Sequence, residues 1–234
     1  MLSGRVRRPG RPSVRRTARR GTTGVSTAFG TFGELLQGVL PGPDGDFLVT
    51  LPIARWTVAT FRTEPESTTV RVVPDHKRKA ARLVSMITEE LPLPMGGFLT
   101  LDSALPEGKG LASSSADLVA TARAAGNALG IPMPPRRIES YLSRIEPTDG
   151  VLYDSIVAYD HRRVRLRQAL GSLPPMTVVG IDEGASSTLS SSTGFPNRSP
   201  RRNTASTHVS WTVSRWPYRT AISWRWEPLP PAAR

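Results

Sequence analysis

The sequence contains no cysteine, so it can build neither a disulfide framework nor a thiolate metal site. It has no apolar run long enough to span a bilayer. Its arginine-rich start has no apolar stretch behind it and does not read as a secretory signal. A cytoplasmic protein with no membrane partner fits these absences. Acid is missing from the ends: residues 1–21 hold eight arginines and no carboxylate, and residues 185–234 hold seven arginines against Glu227 alone. The formal charge of +12 therefore belongs to the two ends, and residues 22–184 sum to −2. A polybasic arm on nucleic acid is the poorer reading of residues 1–21, because nothing aromatic or helical accompanies the arginines. A solvated extension is the better one.

What is there begins near Ser26. Alternating apolar residues over 46–64 and 68–74 predict two or three short strands, with Pro41, Gly42 and Gly45 marking a turn before them. Residues 76–91 place Ala80, Leu83, Val84, Ile87 and Leu91 at helical spacing. Strand alternation returns over 96–105, a helix over 115–130 closes on Gly130, and a further helix covers 136–145. The run 146–163 is acidic, and MTVVGID (176–182) predicts a strand. Adjacent early strands followed by mixed elements predict an α+β domain.

The informative stretch is PEGKGLASSSA, residues 106–116. Gly108 and Gly110 let the chain turn tightly and approach a ligand, while the N–H groups and dipole of the helix that follows attract an anion. Hydroxyls of Ser113, Ser114 and Ser115 can donate to phosphate oxygens or enter the shell of a magnesium ion, which prefers hard oxygens. A plain capped helix after a flexible turn explains the pattern about as well. The Walker pattern is absent, since Gly110 follows Lys109.

The stretch resembles the phosphate-binding motif P-x-x-x-G-L-x-S-S-S-A of the GHMP kinases. GELLQG (33–38) and EPTDGVLYDSIVAYDHRR (146–163) look like the L-threonine kinase branch of that family, which serves cobalamin biosynthesis. The resemblance covers Ser26 to Gly184. It implies an N-terminal domain like ribosomal protein S5 domain 2, with a left-handed β-α-β crossover, and a ferredoxin-like C-terminal domain that is largely missing here. It also implies ATP and Mg2+ as cofactors. Pro106, Gly108, Lys109, Gly110, Leu111, Ala112, Ser113, Ser114, Ser115 and Ala116 would line the triphosphate. Ser114 and Glu146 would hold the metal, Asp149 would orient or deprotonate the acceptor hydroxyl, Lys109 would touch phosphate, and Glu34 and Gln37 would lie near the substrate. Capping and solvation remain the alternative for Glu146 and Asp149, and His161 reads as part of the fold.

Three segments result: a basic extension over 1–22, the kinase-like body over 23–184 and a tail over 185–234. The tail holds Trp211, Trp216, Trp224 and Trp226 among arginine, serine and proline with no sustained period. Back-translated in a shifted frame, it yields a D-T-V-x-F-N segment and then an amphipathic helix, so it reads as out of frame. The expectation is an ATP-dependent small-molecule kinase, with L-threonine as the acceptor. Homoserine or sugar kinases, a non-catalytic fragment and a basic nucleic-acid-binding protein are the rivals, and oligomeric state is left open.

Overall fold

The computed structural model describes residues 21–40, 45–92 and 95–180. Among these, nine elements run in the order β1 (Thr23–Leu40), β2 (Gly45–Glu64), β3 (Val70–Val73), α1 (Arg78–Glu89), β4 (Gly96–Ser103), α2 (Ser113–Leu129), α3 (Pro135–Leu142), β5 (Ile156–Asp160) and β6 (Arg165–Gly171). The α+β expectation holds. No ferredoxin-like second domain is found among the described residues.

The sheet is built around β2. Its one edge carries β1, antiparallel from Thr23↔Arg62 to Leu40↔Gly45. The other edge is shared, with β4 pairing over Thr57–Glu64 and β5 meeting Leu48 and Val49. Beyond them lie β3, parallel to β4 through the α1 connection, and β6, antiparallel to β5. The two or three short strands expected over 46–64 and 68–74 are two, a long β2 of 20 residues and a β3 of four. Pro52, which argues for a break, is tolerated because it faces Thr31 between two irregularities of the β1–β2 ladder, where a missing N–H breaks no regular pairing. The strand expected at 176–182 is corrected: residues 176–180 are irregular and exposed. Alternation alone does not make a strand where no neighbour completes its backbone hydrogen bonds, and residues 181 and 182 lie outside the described residues.

The helices follow their periodicity. Helix α1 buries Ala80, Leu83, Val84 and Ile87, the stripe read from the sequence. Helix α2 is buried on nearly every side from Ser115 to Gly126, which its alanines permit, since small side chains let it sit close to both the sheet and α1. The approach is tightest at Gly24 of β1, where a Cβ atom would lie 2.2 Å from the Ala124 carbonyl oxygen. Phe61, Leu99 and Leu101 on the sheet's inner face complete the core with Leu118, Ile138 and Leu142 from α2 and α3.

Candidate functional site

Strand β4 ends at Ser103, and the chain then runs through Pro106–Ala112 into α2. Gly108, Gly110 and the N-cap Ala112 all have φ between 54° and 68°, so the loop coils through the left-handed region that glycine favours. Ala112 gives no side-chain cap to the helix, and its first turn holds no acidic residue. The first N–H groups of a helix have no partner within it, which leaves this end suited to an anion.

The loop is anchored on two sides. From β1, the Thr31 N–H donates to the Leu111 carbonyl and the Gly33 N–H to the Gly110 carbonyl, each at 3.2 Å. Gly30 has no room for a side chain, since a Cβ would lie 2.5 Å from the Leu111 oxygen. From the β3–α1 connection, Lys77 Nζ lies 2.7 Å from Glu107 Oε1 and 2.5 Å from Asp117 Oδ2 of α2. His76 Nε2 lies 3.0 Å from the same Glu107 oxygen. The Thr57 hydroxyl donates to Asp117 Oδ1 at 2.9 Å, so both carboxylate oxygens of this buried residue are partnered. Burial raises Asp117 above the usual carboxylate range, with Lys77 pulling against it. Burial also works against the charge on Lys77, but its bonds to Asp117 and Glu107 outweigh it and raise its pKa.

The acidic segment after α3 meets the serines. Ser114 Oγ donates to Glu146 Oε1, and Lys79 of α1 donates to Glu146 Oε2. At the next residue of α2, Ser115 Oγ donates to Asp149 Oδ2 at 3.3 Å and accepts from the Asp149 N–H at 3.1 Å. Asp149 Oδ1 is buried without a hydrogen-bond partner. Burial pushes the Asp149 carboxyl up to about 6 despite the bond from Ser115, and Glu146 adds to the shift. On the β1 side, Glu34 is pushed up to about 8, first by burial and then by the charge of Asp149. Part of its surface stays open to solvent, so it is crowded on one side and accessible on the other. Thr50, opposite Glu34 in the β1–β2 ladder, accepts from the Val157 N–H at 3.0 Å and ties the two segments together.

The structure thus gathers Glu34, Ser114, Ser115, Glu146 and Asp149 at the loop. Glu146 and Asp149 lie just past the end of α3, at Leu142. Thr148 holds that connection: its N–H donates to the His161 carbonyl at 3.0 Å and its hydroxyl to the Glu146 carbonyl at 3.1 Å. Of the other expected residues, Pro106 is exposed, Lys109, Leu111, Ala112 and Ser113 are half-buried, and Ala116 is buried beneath the helix start. Gln37 is exposed further along β1, opposite Leu48. Sequence reasoning missed Lys77, Lys79, Asp117 and Thr57. The only signal was the run HKRK at the head of a helix, which reads equally as a solvated terminus.

Among the described residues, no three His, Cys, Asp or Glu side chains are gathered closely enough to hold a metal alone. No helix among them is long and apolar enough to cross a membrane.

Residues 78–158 match the family model of the GHMP kinases N terminal domain. Two curated relatives are both L-threonine kinases. That of Salmonella typhimurium is 26% identical over 152 residues, covering 64% of this chain and 49% of the relative. That of Citrobacter freundii is 25% identical over 154 residues, covering 64% and 51%. The chain spans about half the length of these relatives. Among solved structures, a homoserine kinase from Cytophaga hutchinsonii superposes with a TM-score of 0.45 at 16% identity, covering 62% of this chain and 50% of that one.

Proposed function

We propose that this chain is the nucleotide-binding part of a small-molecule kinase that moves the γ-phosphoryl group of ATP to an alcohol, with L-threonine as the acceptor and L-threonine O-3-phosphate as the product. The observation that carries the reading is the junction of a left-handed glycine loop, an acid-free helix start and two serines bonded to two carboxyl groups. Backbone N–H groups of the loop and the first turn of α2 would bind the polyphosphate. Ser114 and Glu146 offer hard oxygens that fit magnesium, and the ion's remaining positions would fall to phosphate and water. When bound, ATP supplies the phosphoryl group and magnesium offsets the charge that develops on it.

Asp149 would take the proton of the acceptor hydroxyl on its unpartnered Oδ1 as the acceptor's oxygen bonds to the γ-phosphorus and the bond to the departing ADP breaks. A carboxyl raised to about 6 is ionised at neutral pH and still basic enough to help. Glu34 gives the acceptor side a second carboxyl group close to Asp149. Such a pair is relieved by a cation, which favours an acceptor with an ammonium group over mevalonate or a sugar.

Magnesium-ATP binding to the 234-residue chain, measured by titration calorimetry, tests the reading. Wild type binds, and a variant with Ser113, Ser114 and Ser115 all replaced by alanine loses at least about tenfold in affinity. Equal affinity in the two would remove the nest on which the kinase reading rests. A coupled assay across L-threonine, L-serine, L-homoserine and mevalonate tests the acceptor, and preference for any but L-threonine would overturn that choice. The segment boundaries and the reading frame of the tail are tested by the nucleotide sequence around codon 185.

A further inference from the structure

Among the described residues, the helices cover one face of the sheet. On the other face the strand registers align three rows across β1, β2, β4 and β3. The first is Thr23–Arg62–Phe98–Arg71, the second Val25–Thr60–Thr100–Val73, and the third Thr27–Val58–Asp102. Trp56 follows on β2, edge-to-face with Phe29 at 5.9 Å. An antiparallel face turned to water normally carries polar residues. Here Val25 and Val73 remain 52% and 47% exposed, and Val58 and Trp56 are exposed as well. Four strands spaced about 4.8 Å apart and four rows deep give a flat area of roughly 400 to 500 Å², with Val25, Val73, Val58 and Trp56 as its exposed apolar part.

The charges on this face are few and separated. Arg62 and Arg71 stand in the first row and share one partner, Glu64, at 3.6 and 2.8 Å. Arg71 also lies over the Phe98 ring, 5.5 Å from its centre. Asp102 stands alone in the third row and is exposed. One end of the face is thus left with an excess positive charge and the other with a negative one.

We propose that this face binds a second copy of the chain, sheet to sheet, about a two-fold axis along the middle row. Such an axis exchanges the first and third rows and keeps each strand over its own counterpart. It sets Asp102 of one copy over Phe98 of the other, between the partner's Arg62 and the partner's Arg71. The middle row meets itself, with Val25 on the partner's Val25 and Val73 on the partner's Val73. Sheets stack face to face in this aligned manner, and a closed two-fold contact needs a self-complementary patch of this kind. At under about 1,200 Å² of total buried surface the dimer belongs to the weak, exchanging class.

Sedimentation velocity of the full chain over a range of concentrations tests the proposal. Wild type shifts from monomer to dimer mass as concentration rises. Asp102→Arg and the double variant Arg62→Asp/Arg71→Asp each weaken self-association at least about tenfold by placing like charges in contact, with circular dichroism confirming that both stay folded. Mixed together, these two variants form a heterodimer, because each supplies the charge the other lacks. A wild type that stays monomeric at every concentration, a dimer indifferent to these changes, or a mixture that fails to pair would each overturn the proposal. None of these outcomes bears on nucleotide binding.

Discussion

Replacing Lys77 with methionine strips the glycine loop of its second anchor, and the structure sets the size of the effect. Lys77 Nζ lies 2.5 Å from Asp117 and 2.7 Å from Glu107, and Asp117 is only 3% exposed. Leaving one partner of a buried pair uncompensated costs about 3 to 5 kcal/mol. The Thr57 hydroxyl still donates to Asp117, and a hydrogen bond to a charged group offsets about 1 to 2 kcal/mol, so a net loss of about 3 kcal/mol is expected. That lowers the urea midpoint by roughly 1 to 2 M. The loss also depends on pH. Burial already holds Asp117 above its unfolded value with Lys77 opposing it, and in the variant burial acts unopposed. The folded variant therefore keeps its proton to higher pH than the unfolded chain does, and its deficit relative to wild type is smallest in acid and grows as pH rises from about 4. Adding Asp117→Asn removes the stranded charge and recovers part of the loss at pH 8. Urea titrations followed by far-ultraviolet circular dichroism at pH 4.5 and 8 measure all of this. A Lys77→Met protein as stable as wild type at pH 8, or a deficit equal at both pH values, would refute the reasoning.

Gly24→Ala places a methyl group 2.2 Å from the Ala124 carbonyl oxygen and 2.3 Å from the Ala128 nitrogen, so β1 must lift from α2 at a cost of about 1 to 3 kcal/mol, read as a lower melting temperature. Under the proposed function, Asp149→Asn cuts L-threonine phosphorylation by about 10² to 10⁴ while magnesium-ATP affinity, measured by calorimetry, stays within a few-fold. A rate loss explained wholly by weaker nucleotide binding would place Asp149 on the wrong substrate. Glu34 holds its proton to about pH 8 when folded and releases it near 4.5 when unfolded, so it weakens the fold progressively across that interval. Glu34→Gln should therefore melt a few degrees higher than wild type at pH 8 and close to it at pH 4, checked by calorimetric scans.

How much of this was legible in the sequence depends on the range of the forces involved. Helices α1, α2 and α3 and strand β4 follow from periodicity, because each buries one stripe or face and the residues record it. The loop at Gly108 and Gly110 was legible because few residues tolerate positive φ. Strand β1 was not: Gly24, Gly30, Gly33 and Gly38 interrupt its alternation, and what holds it extended is the ladder with β2. Strand β5 was hidden in the run 146–163, read for its carboxylates and family likeness alone, and β6 follows in a stretch that was given no reading. At the site, the family resemblance paired Ser114 with Glu146 as metal ligands, but the bond between Ser115 and Asp149 was not anticipated. Lys77, Asp117 and Thr57 were not anticipated, because their meeting joins α1, α2 and β2 and no local spacing encodes it.

Strand β2 works as a caliper. Its far edge grips β4 from Thr57 onward, and with it the start of the glycine loop, while Leu48 and Val49 grip β5 and the acidic connection ahead of it. The separation of the two jaws is written in the number of residues between Val49 and Thr57, at about 3.3 Å each. Two residues gained or lost there would preserve the alternation of faces and spare each half its core. They would still slide the carboxyl groups some 7 Å past the serines they now meet. Length in this interval is therefore under tighter constraint than side-chain identity, in a strand whose exposed outer side chains would otherwise suggest freedom to vary.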